Sequence, residues 1–150
     1  MKIVQAAAGD TEEILSVQAR HFACEPGLSA IQSMENAWSI EHSLKTRIWL
    51  KAERRGGIAG VVRGQDRGRI VYVDALWVPD FARRTELCVL LLGELEGRFP
   101  NRATFHVRAA HRNAKCFDVY KKAGYEAFYE ERKENGILLR LYEKRLIAPP

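Results

Sequence analysis

A chain of 150 residues with 47% hydrophobic and 29% charged residues can bury a sizeable core, which excludes a disordered or fibrous protein. Its net charge of +5 suits an anionic partner. The basic residues, however, fall in scattered pairs (Arg54-Arg55, Arg83-Arg84, Lys121-Lys122, Lys144-Arg145) rather than along one helix face, which argues against nucleic acid. No stretch nears the roughly 18 apolar residues of a membrane span, and Met1-Lys2-Ile3-Val4 opens a strand rather than a signal peptide. Cys24, Cys88 and Cys116 have no Cys-x-x-Cys spacing and read as free thiols of a reducing cytoplasm. The expectation is one cytoplasmic domain over residues 1–150.

Residues 3–8 predict an edge strand. Asp10 or Thr11 can cap a following helix, with Glu13 in the capping-box position. Ile14, Leu15, Val17 and Phe22 give that helix its apolar side, and it ends before Pro26. A second helix is expected over about 28–44, with Ile31, Met34, Trp38 and Leu44 inward. Residues 47–53 alternate as a strand, Arg55-Gly56-Gly57 turns the chain, and 58–63 returns as a hairpin. After a turn at 65–68, the apolar run 69–78 reads as a long central strand. Thr85 can cap a helix to about Phe99, with Leu87, Leu91 and Leu95 at core spacing. A short strand at 104–107 follows.

The next segment carries the most information. Asn113 and Tyr120 lie seven residues apart, two turns of one helix, so they are expected to share a face. Gly124 is the residue expected just past a helix end, where a left-handed backbone costs it nothing. Strands at 125–132 and 137–146 are joined through Glu134-Asn135-Gly136, and Asn-Gly is a strong hairpin signal. His106 and His111 have no cysteine or acid at metal-ligand spacing, so no metal is expected.

The helix with Asn113, Tyr120 and Gly124-Tyr125, together with this element order, resembles the GNAT superfamily of acyl-CoA-dependent N-acyltransferases over essentially the whole chain. The resemblance implies an α+β fold: a mostly antiparallel sheet of about seven strands, flanked by about four helices and splayed between its fourth and fifth strands. It implies acetyl transfer from acetyl-CoA to a primary amine of a small molecule or protein, directly, without a metal. The pantetheine arm would pair with the backbone of Leu76-Trp77-Val78, and N–H groups near Val78 would polarise the thioester carbonyl. Tyr120, a phenol protonated at neutral pH, would give a proton to the leaving thiolate. Asn113 would hydrogen-bond the pantetheine arm, unless it serves as a helix cap instead, and Phe117 would border the cofactor.

Asp74 is the candidate base, acting through water. Period-two alternation puts it on the face of Leu76 and Val78, and an acid inside so apolar a strand needs a partner or a cleft. The alternative for Asp74 is a structural hydrogen bond, and for Tyr120 a place in the core. Trp38, Trp49 and Trp77 are expected in the core.

The family's phosphate loop, Arg/Gln-x-x-Gly-x-Gly/Ala, aligns with Arg83-Arg84-Thr85-Glu86-Leu87-Cys88. Arg83 matches and Cys88 is small, but Glu86 puts a carboxylate where glycine lets phosphate reach the backbone at the positive helix end. A second register over Ala82, Thr85 and Leu87 recovers no glycine either. A GNAT-like binding protein without catalysis is therefore the alternative to an enzyme. The exposed last strand could pair with a second copy of the chain.

Overall fold

A computed structural model describes residues 1–24, 34–99 and 104–146. Among these residues there are seven strands and four α-helices. They run β1 (Lys2–Gln5), α1 (Thr11–Ala23), α2 (Ala37–Thr46), β2 (Ile48–Arg54), β3 (Gly57–Arg67), β4 (Ile70–Trp77), α3 (Arg84–Gly97), β5 (Thr104–His111), α4 (Asp118–Lys122), β6 (Glu126–Arg132) and β7 (Leu138–Arg145). One sheet joins the strands in the order β1-β2-β3-β4-β5-β7-β6, antiparallel throughout except for the parallel β4–β5 pair. This is the α+β architecture that the resemblance implied, but the last strand, expected to be exposed, is internal: β7 lies between β5 and β6, and β6 forms the edge.

Each sheet face carries its own apolar cluster. α3 lays Leu87, Leu91, Leu92 and Leu95, all fully buried, against Leu50, Val62, Val71 and Val73. Burying side chains of this size stabilises the fold by about 1.5–3 kcal/mol each. The helix sits close because β3 offers glycine beneath it: a Cβ on Gly64 would lie 3.1 Å from Leu95 Cδ1. On the other face, Ile14, Val17, Phe22 and Ile40 of α1 and α2 cover Trp49, Val61, Ala75 and Trp77.

Several local expectations change. Asp10 is the N-cap residue of α1, but its carboxylate accepts from the Ala7 N–H and from Lys51 Nζ. Glu13 does not close a capping box. It accepts from the Ile58 N–H at 2.7 Å and so pins the start of β3. α2 begins only after Asn36, whose Oδ1 accepts from the Ser39 N–H. Met34 is thus outside the helix and exposed, and Ile31 lies outside the described residues. Trp38 is 72% exposed and stacks on His42, whereas Trp49 and Trp77 are buried as expected. β3 runs on to Arg67 and β5 to His111, both beyond their predicted ends.

Thr85 does not cap α3. A 3-10 turn, Phe81–Arg83, leads into the helix, with Asp80 Oδ1 accepting from the Ala82 N–H and the Asp80 carbonyl from the Arg83 N–H. Asp80 takes over the helix start, and Thr85 falls inside the first turn. The 113–125 segment is likewise not one helix. A 3-10 turn, Ala114–Phe117, precedes the five-residue α4, and the chain leaves through Gly124 at φ 92°. The Tyr125 N–H then reaches back to the Tyr120 carbonyl at 2.8 Å, a Schellman closure.

Candidate active site

Parallel pairing of β4 with β5 covers only Ile70–Val73 against Thr104–Val107. Beyond Val73 and Val107 the two strands diverge, while each stays paired on its other side, β4 with β3 through Trp77 and β5 with β7 through His111. The edge of β4 facing the gap, from Asp74 to Trp77, is therefore backbone without a strand partner. A cavity of about 30 Å³ lies there, bordered by Asp74, Leu76, Trp77, Ala109, His111 and Tyr120. That is room for a water and not for a thioester tail, so any larger ligand must displace bordering side chains.

A bulge redirects the side chains of β4. Ala75 pairs with Arg63 and Val73 with Gly64, which leaves Asp74 as an extra residue in β4. Simple alternation placed Asp74 with Leu76 and Val78. The bulge breaks the period, and the faces swap along the strand. Val73, Leu76 and Val78 pack with α3, while Ala75 and Trp77 belong to the opposite cluster. Asp74 points to that opposite face, where Oδ1 accepts from Arg63 Nε at 2.7 Å and Oδ2 from Arg47 Nη1.

Arg63, 4% exposed, is the hub of this network. Its guanidinium also bonds Glu35 at 2.7 Å and lies 4.9 Å from the Trp49 ring centre. Burial works against the charge on Arg63, but Glu35 and Asp74 outweigh it and raise its pKa. Burial likewise opposes ionisation of Glu35, yet the hydrogen bond and charge of Arg63, with help from Ser39 and Arg47, hold its carboxyl below the usual glutamate range. Sequence reading missed Arg63 and Arg47. The available signal was an arginine in the apolar run Val61-Val62-Arg63-Gly64, which requires a buried acid nearby.

A second, wider cavity of about 650 Å³ opens on this face. It shares Val73, Asp74, Trp77 and Arg108 with the narrow gap, so the two meet at Asp74.

Tyr120 is 5% exposed, stacked 4.7 Å from the Tyr142 ring, and lines the narrow gap. It is thus both a core residue and a wall of the gap. Asn113, by contrast, is exposed, and its Oδ1 accepts from the Lys115 N–H at 3.0 Å. The 3-10 turn that it caps breaks the helical spacing, so Asn113 and Tyr120 do not share a face. Phe117 is buried, with His111 edge-on at 4.9 Å and Arg140 over its ring at 4.4 Å.

In the loop before α3, Glu86 turns outward, its side chain 61% exposed and paired with Arg83 at 3.4 Å. Leu87 and Cys88 are buried in the α3 cluster. Arg84 is also buried, with Nη2 at 3.4 Å from both ring nitrogens of His111. Burial pushes the Cys88 thiol up to about 12, with Arg84 offsetting only part of it.

The family model described as an acetyltransferase (GNAT) domain matches residues 23–146. None of the curated proteins matches significantly. Among solved structures, the ribosomal-protein-S18-alanine N-acetyltransferase of Escherichia coli has a TM-score of 0.79 at 13% identity, over 99% of this chain and 96% of its own. A putative acetyltransferase, yncA of Salmonella typhimurium, solved with acetyl-CoA, has a TM-score of 0.75 at 15% identity, over 100% and 97%. The aminoglycoside 6'-N-acetyltransferase of Enterococcus faecium has a TM-score of 0.74 at 14% identity, over 100% and 99%. At such identities the likeness is one of fold, and it extends across both lengths. With its sheet parted after Val73 and Val107 and the family model spanning most of its length, the chain belongs to the GNAT acetyltransferase family and is by class an acyltransferase.

Proposed function

We propose that the protein transfers an acetyl group from acetyl-CoA directly to a primary amine of a small molecule or a protein. The observation that carries this reading is the parting of β4 from β5 with Tyr120 against the gap. The backbone of Leu76-Trp77-Val78 suits an amide-bearing arm that adds to β4 as another strand would. Arg83 and the start of α3 suit a pyrophosphate, with Thr85 in the first turn, whereas Arg84 faces inward to His111. The solved relatives named above point to amines as acceptors, one on a protein and one on an aminoglycoside.

In this reading the amine attacks the thioester carbonyl, and the tetrahedral intermediate collapses with loss of thiolate. Tyr120 protonates that thiolate. N–H groups near Val78 polarise the carbonyl. Both oxygens of Asp74 already accept from guanidiniums, so its part is to orient the incoming ammonium and relay its proton through water.

Acetyl-CoA should raise the melting temperature by linkage, since it binds the folded state. No shift with acetyl-CoA or CoA at millimolar concentration would sink the reading. Tyr120→Phe should keep that shift and lose about a hundredfold in turnover, within the usual range for a general acid. Unchanged turnover would remove Tyr120 from the role.

A further inference from the structure

The wide cavity beside Asp74 is lined by four guanidiniums, of Arg47, Arg63, Arg67 and Arg108, against two carboxylates, of Glu35 and Asp74. The carboxylates are taken up by Arg47 and Arg63. Arg67 sits 5.4 Å from the Tyr72 ring, and Arg108 is an exposed residue of β5 at the junction with the narrow gap. Neither has a carboxylate within ion-pair distance among the described residues, although Arg108 lies near enough to Glu131 to help hold its carboxyl below the usual range. An ammonium entering this wall meets an excess of positive charge, and a simple alkylamine or a polyamine would be repelled by it.

We infer that the acceptor is an amine that also carries an anionic group, a carboxylate or a phosphate, which Arg67 and Arg108 hold while the amine lies at Asp74. This rests on the acyl-transfer reading above. The same charges serve the chemistry. Cations near an ammonium disfavour its charged form, so the wall that binds the anion also releases the neutral amine that attacks. Guanidiniums are suited to the task because they meet carboxylate and phosphate in a planar, two-pronged geometry. Phe22 and Trp77 supply apolar wall to the same cavity.

The test uses matched primary amines that differ only in the anion: β-alanine against its amide, and phosphoethanolamine against ethanolamine. Each is measured for kcat/KM with acetyl-CoA and, by calorimetry, for binding to the CoA-loaded protein. The acidic member of at least one pair should be preferred about tenfold or more, the effect of one charge-assisted hydrogen bond. The preference should shrink as salt rises. Arg67→Glu combined with Arg108→Glu should abolish or invert it, with the melting transition checking that the variant folds. Arg108→Gln alone, a milder change, should reduce it. Equal or better use of the neutral members, or a preference indifferent to both variants, overturns the inference. If acetyl-CoA fails to bind, the acyl-transfer reading falls separately, and binding of the amines to the protein alone still decides the charge preference.

Discussion

The carboxylate of Glu86 sits in the first turn of α3, where a helix dipole favours an acid, and it is turned out to Arg83. It therefore competes with an incoming diphosphate for that guanidinium more than it blocks the backbone. Glu86→Gln should tighten acetyl-CoA binding about threefold, a change on the scale of one exposed ion pair. Titration calorimetry would show it, and weaker binding would place Glu86 among the contacts. Cys88 is a different case of a residue read correctly as small but placed by packing. With its thiol pushed up to about 12, it should resist alkylation at neutral pH until the protein unfolds, while the partly exposed Cys24 reacts in the native state. Peptide mapping after a short maleimide pulse distinguishes the two.

Glu35 adds a pH dependence at the same scale. Its folded pKa lies below the ordinary glutamate value, so the stability it contributes is full above that value and is lost as pH falls through the folded pKa. Urea midpoints of the wild type and of Glu35→Gln should differ at pH 6 and converge toward pH 3. A constant gap would mean that the carboxylate contributes nothing through its charge.

Elements add constraints that single residues do not carry. The closure of α4 depends on Gly124 at φ 92°, followed by Tyr125, whose hydroxyl donates to Glu96 at 2.9 Å. A Cβ at position 124 would also lie 3.3 Å from Lys144 Cε. Gly124→Ala should cost about 1–2 kcal/mol, seen as a lower urea midpoint at unchanged slope, and a neutral result would mean that the left-handed turn relaxes. The bulge in β4 acts at the same scale. One unpaired residue, Asp74, is what carries its carboxylate to the arginine face while Leu76 stays with α3. Alternation along 69–78 gave the strand but could not give the bulge, because the extra residue exists only relative to the pairing with β3. The capped turn at Asn113 was equally hidden. The competition between cap and ligand was visible, but whether the segment ran as one helix depended on the burial of Cys116 and Phe117.

In the whole molecule, the strand order and the parting of β4 from β5 set where chemistry can occur. Four residue pairs hold the strands together at one end. At the other, Asp74 of β4, His111 of β5 and Tyr120 of α4 come together around the gap. Element order, the apolar periods of α1 and α3 and the apolar run of β4 were written in the sequence, as were Gly124, Tyr120 and the departure of the phosphate loop from glycine, because each depends on near neighbours and on backbone sterics. Tertiary structure decided the rest. Which way Asp74 points, and which arginines gather at one cavity, depend on partners far along the chain. Arg63 meets Glu35 and Asp74 only once β3, β4 and the approach to α2 are packed together. Charge on a side chain is local, but the field at a site is a sum over everything the fold brings near it.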